Sequence, residues 1–450
     1  MVKVQPRILS GFMELTPAEQ IKFNQIMDVI RYTYEEFGFS PLDTPVLELS
    51  EVLLAKAGGE TEKQIYRFMR GDTDISMRFD LTVPLARYVV MNQNTLSFPF
   101  KRYQIGKVYR GERAQKGRFR EFYQADIDVI GMDKLDISYD AEMPAIIYNV
   151  FKKLGLSKFV INISNRKLLK GLMESLGLAD KSGDVLRIVD KIAKIGKDKV
   201  VEELRNIGLD KKSIDTIIKF IEIDGDNKKV FESLQSFGIE NDTFTKGLSE
   251  LTEVVSSLAV LGVPERNYKI NLTITRGLDY YTGTIYETML DDYPQFGSIC
   301  SGGRYDDLAG FYTDKKLPGV GISIGLTRLF ASLLDSGLIK VGEATPANVM
   351  VIPITNAEKK NALSLSADLR ALGIKVLTFT EDNKFKAKLN YANKVGVPFV
   401  AIIGEDEAKN HTAVIKNMAT GEQLTLPTED VSTFIIGKVM EAAKEKIIKS

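Results

Sequence analysis

Six arginines in the sequence share a setting that suits the binding of phosphate groups. They fall in predicted strand or strand-end segments, each near a glycine: Arg110, Arg113, Arg118, Arg120, Arg276 and Arg328. No single helix face accounts for them together. A guanidinium offers its N–H groups as a rigid planar fork, which matches the geometry of phosphoryl oxygens. We therefore predict a site that holds a triphosphate with arginine side chains.

Phosphate-binding loops of the common kinds are missing from the sequence. No G-x-x-x-x-G-K motif occurs, and Gly319, Gly321 and Gly325 have the wrong spacing and no preceding strand for a dinucleotide loop. In-line attack on a phosphorus atom depends on charge stabilisation and positioning more than on a basic side chain. A chain whose only histidine is His411 is therefore compatible with phosphoryl chemistry.

Residues 98–131 have the pattern of two alternating strands joined by a strongly basic loop. One face carries Arg102, Gln104, Gly106, Val108 and Arg110 from the first strand, and Phe122, Gln124, Asp126 and Asp128 from the second. The opposite face is apolar or aromatic. If that face meets a core, the polar face becomes a floor that combines guanidinium, aromatic, amide and carboxylate groups. A merely solvated outer face is the alternative interpretation.

A rival motif lies further along the chain. The segment Gly321-Ile322-Ser323-Ile324-Gly325 matches G-x-S-x-G, and Asp382 and His411 follow in the order of a Ser-Asp-His hydrolase. Against a hydrolase, Ser323 alternates with isoleucines as an ordinary strand residue does. His411 also lies beyond a predicted linker. We interpret Ser323 as a strand residue with no part in the chemistry and keep the hydrolase as an alternative.

Composition limits the class of protein. The 450 residues, 44% of them hydrophobic, can form two or three domains. Lys plus Arg and Asp plus Glu are 60 each, so contact with nucleic acid would have to come from local basic patches. The single Cys300 rules out an intramolecular disulfide and a thiolate-rich metal cage. No charged-then-apolar leader opens the chain, and no apolar run reaches the roughly 18 residues of a membrane span. We expect a soluble cytoplasmic protein.

The elements that must position these residues change character along the chain. Thr16, Pro17 and Glu19 predict a capped start for an amphipathic helix that continues to Gly38. The predicted organisation is a sheet-based domain in residues 1–140, a helical insertion in 141–264, a return to the sheet domain in 265–335, a linker in 336–347 and a three-layer α/β domain in 348–450. The fold class is α+β with an antiparallel catalytic sheet.

These stretches resemble the signature motifs of class II aminoacyl-tRNA synthetases and, among them, of the histidyl-tRNA synthetase family. VYRGERAQKGRFREFYQADID resembles the second motif, GVGISIGLTRLF the third, and the first helix with FSPLDTPVLE the dimer-forming first motif. RGLDYYTGTIYE and SGGRYDDL resemble two segments peculiar to the histidyl family. The resemblance covers nearly the whole chain.

The resemblance implies a role for each matching residue. For ATP, with Mg²⁺ carried on the triphosphate, it implies Arg110 at the α-phosphate, Phe122 stacked on adenine, Glu112 near the base, and Arg118 with Arg328 at the outer phosphates. Arg276 would meet the α-phosphate from the other side and act with Arg110 in catalysis. For L-histidine it implies Asp80, Thr82 and Gln124 at the ammonium group, and Asp128, Tyr281 and the adjacent Tyr280 at the imidazole. It counts Arg276 among the histidine-binding residues as well. Asp80 is also placed to cap the helix that starts near Thr82.

The resemblance implies partners as well. It predicts ATP-dependent formation of histidyl adenylate, transfer of histidine to tRNA(His), and a homodimer. By resemblance, the C-terminal domain binds the anticodon and the helical insertion clamps the acceptor stem. A paralogue of the same fold that regulates histidine biosynthesis is a further alternative, although such proteins lack the C-terminal domain.

Overall fold

The structure, a computed structural model, describes residues 3–55, 60–113, 117–274, 281–306, 308–342 and 344–442. Contacts between residues divide the chain into two units. Among the described residues, the first contains those within 3–13 and 29–335, and the second contains those within 14–28 and 336–442. The break after residue 335 lies at the start of the predicted linker. The grouping of residues 14–28 with the second unit was not predicted.

The described residues form sixteen strands and seventeen α-helices. The strands are β1 (Ser40–Pro41), β2 (Leu47–Leu49), β3 (Arg67–Arg70), β4 (Thr73–Met77), β5 (Phe100–Tyr109), β6 (Glu121–Ile130), β7 (Phe159–Asn165), β8 (Tyr268–Ile270), β9 (Thr284–Leu290), β10 (Cys300–Tyr305), β11 (Gly319–Ile324), β12 (Val349–Pro353), β13 (Val376–Thr378), β14 (Phe399–Ile403), β15 (Thr412–Asn417) and β16 (Gln423–Pro427).

The helices, in chain order, are α1 (Pro17–Glu36), α2 (Ser50–Leu54), α3 (Glu60–Gln64), α4 (Thr82–Asn92), α5 (Ser138–Leu154), α6 (Arg166–Ser175), α7 (Ser182–Val189), α8 (Ile192–Ile195), α9 (Lys197–Asn206), α10 (Lys211–Ile221), α11 (Asn227–Ser236), α12 (Asp242–Val260), α13 (Leu326–Asp335), α14 (Lys359–Ala371), α15 (Phe385–Val395), α16 (Glu405–Asn410) and α17 (Val431–Ala442). Helix α1 begins as predicted, because the Thr16 backbone N–H donates to Glu19 at 2.7 Å and Pro17 is the first helical residue. Among the described residues, no helix is both long and apolar enough to cross a membrane.

The first unit is built on an eight-stranded sheet with the order β1-β5-β6-β11-β10-β9-β7-β8. Adjacent strands from β5 to β7 in this order run antiparallel, and β1 and β8 pair in parallel at the two edges. A smaller sheet has the order β2-β4-β3. The prediction of an antiparallel catalytic sheet is confirmed.

The β5–β6 pair separates an apolar face from a polar one, as alternation predicts. On the apolar face Ile127 and Val129 are fully buried, which stabilises the fold by roughly 1.5–3 kcal/mol for each side chain. On the polar face Arg102 lies opposite Asp128. Both of these charged side chains are buried, so the alternative of a solvated outer face is wrong.

The predicted helical insertion starts later than residue 141. Strand β7 pairs with β9 and β8 in the main sheet, and α5 packs against β10 and β11, so residues 141–165 belong to the sheet domain. The partners of β7 lie more than a hundred residues further on, and local sequence texture cannot reveal such pairing. Helices α6–α12 make up the rest of the predicted insertion, and Asp210, Asp226 and Asn241 cap the N-termini of three of them.

The second unit has a five-stranded sheet with the order β13-β12-β14-β15-β16. Strands β13, β12 and β14 are parallel, as predicted, whereas β15 and β16 add to the sheet antiparallel. One apolar cluster joins α14 and α17 to the sheet, and a separate cluster includes residues of α15. The prediction of a three-layer α/β domain is confirmed.

Close packing of β10 on β11 makes one glycine indispensable to the main sheet. A Cβ atom at residue 302 would lie 2.1 Å from the Gly321 carbonyl oxygen and 2.7 Å from the Ile322 Cα atom. We predict that Gly302→Ala strongly destabilises the first unit, because both obstacles are backbone atoms that cannot move aside.

Thermal unfolding measures this effect, with Gly183→Ala in α7 as the matched control. A Cβ at residue 183 meets nothing closer than 3.8 Å, and alanine is favoured in helices by up to about 1 kcal/mol. Equal melting temperatures for Gly302→Ala and the wild type would contradict the prediction, because they would show that β10 and β11 accommodate the Cβ atom with no loss of stability.

Candidate active site

A cavity of about 410 Å³ opens on the polar face of the main sheet. Ten of the residues that sequence analysis selected line it: Asp80, Thr82, Arg110, Glu112, Arg118, Phe122, Gln124, Asp128, Tyr281 and Arg328. They come from the start of α4 and the residues just before it, from the loop between β5 and β6, from β6, from the segment before β9 and from α13. Strands β10 and β11 contribute further lining residues, among them Ser301, Tyr305 and Ser323. The selected residues Arg276 and Tyr280 lie outside the described residues.

A buried ion pair forms the deep end of the cavity floor. The Arg102 guanidinium, with no solvent exposure, lies 2.6 Å from the Asp128 carboxylate. The Tyr305 hydroxyl donates to the other oxygen of Asp128 at 2.8 Å, so two partners fix that carboxylate. Burial raises the pKa of Asp128 to about 6, while the charge of Arg102 acts in the opposite direction.

Asp128 can occupy this position because a neighbouring strand carries no side chain there. Gly321 lies directly opposite Asp128, and a Cβ at residue 321 would be 2.3 Å from the Asp128 Oδ1 atom. The G-x-S-x-G pattern thus contains a glycine whose function is steric. It gives the carboxylate room beside β11.

A second carboxylate, Asp126, lies on the same strand face and is also buried. Burial raises its pKa to about 7, and Arg102 opposes this shift by favouring the charged form. The Ser323 hydroxyl donates to Asp126. The two residues lie directly opposite each other on the paired strands β6 and β11. Among the described residues, the Asp126 Oδ1 atom is buried without a hydrogen-bond partner.

Gln124 connects this carboxylate region to an arginine. Its Nε2 group donates to the Ser323 hydroxyl oxygen at 2.5 Å, and its Oε1 atom accepts from Arg110 at 3.4 Å. Arg110 also donates from Nε to the Phe79 carbonyl at 3.1 Å. Its guanidinium carbon lies 4.4 Å from the Phe79 ring centroid and 5.1 Å from that of Phe122. Arg110 is therefore fixed by two rings and two carbonyl groups.

Two further arginines make the outer end of the cavity cationic. Arg118 pairs with Glu112 at 3.2 Å, and half-buried Arg328 donates to the Phe296 carbonyl. Burial first and then the charge of Arg118 lower the pKa of Arg328, while Glu112 acts in the opposite direction. Two guanidinium groups share one carboxylate here, so this end of the cavity favours an additional anion.

Asp80 lies at the N-terminus of α4 and performs the capping role anticipated for it. Its Oδ1 atom accepts from the backbone N–H groups of Thr82 at 3.1 Å and Val83 at 2.9 Å. Burial raises its pKa despite those hydrogen bonds and the nearby charge of Arg110. Asp80 still lines the cavity, so capping and ligand contact are compatible. Tyr281 lines the same cavity and is half-buried, and its backbone carbonyl accepts from Arg166 at 2.9 Å.

Comparison with known proteins agrees with this geometry. A family model described as histidyl-tRNA synthetase matches residues 11–329, and one described as an anticodon binding domain matches residues 348–438. The chain belongs to the histidyl-tRNA synthetase family. It is 54% identical to a histidine–tRNA ligase of Clostridium tetani, over 96% of this chain and 98% of the relative. It is 48% identical to the ligase of Finegoldia magna, over 95% of this chain and 99% of the relative.

A solved structure supports the same assignment. The crystal structure of histidyl-tRNA synthetase from Nostoc sp. PCC 7120 is similar with a TM-score of 0.90 and 40% sequence identity. The similarity covers 97% of this chain and 100% of that one. The class II synthetase fold predicted from the motifs is therefore confirmed.

The sequence interpretation missed part of this site. It gave no role to Ser323, Asp126 or Tyr305, which the structure places on the cavity. Ser323 is hydrogen-bonded to Gln124 and to Asp126, and Tyr305 is hydrogen-bonded to Asp128. The alternation of β6 already put Asp126 on the correct face. Nothing local indicated that β11 would lie beside β6 and bring Ser323 opposite Asp126.

The hydrolase alternative has little support in the structure. Ser323 lies inside strand β11, three residues before the start of α13, and its hydroxyl contacts an amide and a carboxylate. His411 is exposed and follows α16 with a φ of 54°, in the second unit. Full-length similarity to ligases favours the synthetase interpretation.

The buried Asp126 predicts a specific dependence of stability on pH. Its pKa of about 7 lies above the usual value near 3.9 for an unfolded aspartate. As pH rises between these values the unfolded chain ionises and the folded chain does not, so the wild type loses stability. We predict that the stability of Asp126→Asn relative to wild type increases from about pH 4 to about pH 7 and then stays constant.

Chemical denaturation across this pH range measures the difference, with the exposed Asp184→Asn as the matched control. The comparison removes the contributions of all other titrating groups, because both proteins share them. A difference between wild type and Asp126→Asn that does not change with pH would contradict the burial of an ionisable Asp126.

Proposed function

We propose that this cavity converts L-histidine and ATP into histidyl adenylate and pyrophosphate, and that the enzyme then transfers the histidyl group to the 3′ end of tRNA(His). The chain belongs to the histidyl-tRNA synthetase family, and one observation on its cavity carries the proposal. A single β5–β6 floor joins a cation-rich outer end to a carboxylate-rich inner end. The outer end suits a triphosphate, and the inner end suits a zwitterion with a second nitrogen-bearing ring.

ATP binds along the outer end. Arg110 contacts the α-phosphate, Arg118 and Arg328 contact the outer phosphates, and Phe122 stacks on the adenine with Glu112 near the base. The cation-rich pair of arginines beside Glu112 supports this placement, because that pair favours an added anion. Magnesium enters as part of the substrate, bound to the triphosphate.

Histidine binds at the inner end. Asp128 accepts a hydrogen bond from the imidazole, and its two fixed partners hold it ready for that contact. Asp80, Thr82 and the Gln124 carbonyl surround the ammonium group. Tyr281, with the adjacent Tyr280, covers the ring. The substrate carboxylate then points toward Arg110 and the α-phosphate.

Adenylate formation requires no basic side chain. The histidine carboxylate is already ionised at neutral pH, so one of its oxygens attacks the α-phosphorus directly. The bond from phosphorus to the bridging oxygen breaks, and pyrophosphate leaves with that electron pair. Arg110 and Arg276 stabilise the charge that develops on the α-phosphoryl oxygens. Positioning and electrostatics therefore supply the catalysis.

The rest of the chain binds tRNA. The second unit, over residues 348–438, matches an anticodon-binding model, and we assign it to the anticodon end of tRNA(His). The helical segment α6–α12 is assigned to the acceptor stem. Similarity over nearly the full length to proteins named histidine–tRNA ligase supports a ligase over a regulator of histidine biosynthesis. We assign the enzyme to the cytoplasm.

Pyrophosphate exchange with each of the twenty amino acids tests the proposal. We expect exchange with histidine alone, because adenylation and amino-acid selection both occur in this cavity. Exchange driven by another amino acid would retain the class II fold and reject the histidyl assignment.

A matched pair of variants tests the role of the cavity in the same assay. Arg110→Ala should lower histidine-dependent exchange by about 10² to 10³, the usual loss for one electrostatic donor in a transition state. Arg187→Ala, which removes an exposed guanidinium on α7, should leave exchange unchanged. Equal rates in the two variants would remove Arg110 from the mechanism.

An apolar face of the small β2-β4-β3 sheet supports a homodimer, which we also propose. Leu47 lies opposite Met77, and both Leu49 and Phe68 lie opposite Ile75, so these five side chains share one face. Leu47, Leu49 and Phe68 are 48%, 47% and 44% exposed. Apolar side chains grouped in this way mark association surfaces more often than isolated ones do. A second copy of the chain is the partner we assign to this face.

The double variant Leu47→Asp/Phe68→Asp should convert the dimer to a monomer, because charges would then be buried in the interface. Light scattering coupled to size-exclusion chromatography measures the mass. Val260→Asp, at an 88% exposed apolar residue on α12, is the control and should remain dimeric. A dimer that persists in the double variant would place the interface elsewhere.

A further inference from the structure

A continuous chain of polar groups links a proposed substrate-binding amide to the buried Asp126. The Arg110 guanidinium donates to Gln124 Oε1 at 3.4 Å, and Gln124 Nε2 donates to the Ser323 hydroxyl oxygen at 2.5 Å. The Ser323 hydroxyl donates to the Asp126 carboxylate. Ser323 and Asp126 are direct cross-strand partners, and Gln124 is the next residue on the same face of β6.

The order of donors and acceptors gives this chain a direction. An ionised carboxylate can only accept hydrogen bonds, so Asp126 accepts one from the Ser323 hydroxyl. The serine oxygen then has only lone pairs left for Gln124, and it must face the NH₂ end of the amide. The carbonyl end of Gln124 is thereby turned toward Arg110 and the cavity.

We propose that Ser323 and Asp126 are positioning residues that select the amide orientation of Gln124 and so set the affinity of the site for the α-ammonium group of its amino acid. The inference rests on the proposed function, because it assigns that ammonium to the Gln124 carbonyl. In the reverse orientation the NH₂ group of Gln124 would face Arg110 and the ammonium. Both contacts would then be repulsive.

Protonation of Asp126 reverses the donor-to-acceptor direction of the hydrogen bonds between Asp126, Ser323 and Gln124. A protonated carboxyl donates to the Ser323 oxygen, the Ser323 hydroxyl turns to donate to Gln124, and the amide then accepts with its carbonyl and presents its NH₂ group to the cavity. The pKa of Asp126, raised by burial to about 7, places this change near neutral pH.

Charged and titratable groups of several elements face Asp126. They are Arg102 of β5, Asp128 of β6, Asp80 before α4, Tyr34 of α1, Tyr281 before β9 and Cys300 of β10. Arg102 is the cation of this set and favours the charged form of Asp126. The carboxylates Asp128 and Asp80 favour the protonated form. The balance of these groups determines the pH at which the chain reverses.

A matched pair of ligands isolates the ammonium contact. L-Histidine and its des-amino analogue, 3-(imidazol-4-yl)propanoate, share the imidazole and the carboxylate and differ in the ammonium group. Calorimetric dissociation constants for both ligands, measured on the full-length protein, give a ratio that reports the ammonium contribution alone. Titration of the imidazole or of Asp128 affects both ligands and cancels in this ratio.

The variant Ser323→Ala removes the hydroxyl that orients the amide. We expect the preference for histidine over the analogue to fall by roughly tenfold, as for the loss of a hydrogen bond to a charged group. The histidine KM in pyrophosphate exchange should rise by a similar factor with little change in kcat, because the ammonium is bound equally in the ground state and the transition state. Ser323→Thr keeps a hydroxyl and should restore the preference.

The pH dependence of the preference for histidine over the analogue provides a second test of the inference. In the wild type the preference should fall between about pH 8 and about pH 6, and in Asp126→Asn it should be independent of pH because residue 126 no longer titrates. An unchanged preference in well-folded Ser323→Ala, or equal weakening of both ligands, would overturn the inference. So would a wild-type preference that does not vary with pH. Failure of the wild type to bind histidine at all would instead reject the proposed function.

Discussion

The buried charge of Arg102 is the interaction on which the rest of the site depends. Its guanidinium has no solvent exposure, contacts Asp128 at 2.6 Å and donates to the Leu81 carbonyl at 3.1 Å. Asp80, Asp126 and Asp128 are all buried nearby, and Arg102 favours the charged form of each one. Burial raises the pKa of all three carboxyl groups, and the charge of Arg102 opposes this shift in each of them. Arg102 thus allows the inner end of the cavity to be acidic.

Backbone packing makes room for that arrangement. Strand β11 lies beside β6, and the absence of a side chain at Gly321 leaves space for the Asp128 carboxylate. A Cβ at Gly319 would lie 2.3 Å from the Tyr305 ring, whose hydroxyl is the second partner of Asp128. The glycines of β11 therefore serve packing and electrostatics together. They let aromatic and acidic groups approach a backbone that would otherwise exclude them.

The β5–β6 floor also separates the two kinds of charge along one direction. Phe122 and Asp128 are six residues apart on β6, roughly 20 Å at the rise of an extended strand. That length accommodates a nucleotide and an amino acid in line, with Gln124 between the cationic and the acidic ends. Hydrogen bonds hold Gln124, and an ion pair and a hydrogen bond hold Asp128, so these parts of the floor are organised before any ligand arrives. Such preorganisation suits the proposed adenylation, which uses no general base.

The sequence alone determined the alternation of β5 and β6, the arginine set, the C-terminal α/β domain and, through its motifs, the family. These features are local, because a strand period or a motif is visible within some twenty residues. Only the tertiary structure placed β11 beside β6, which gave Ser323 a contact with Gln124 and made Gly321 a steric requirement. It also showed that β7 belongs to the main sheet and that the polar floor is buried. Strand neighbours far apart in sequence and the burial of charge depend on the packing of the whole chain, and no local pattern records them.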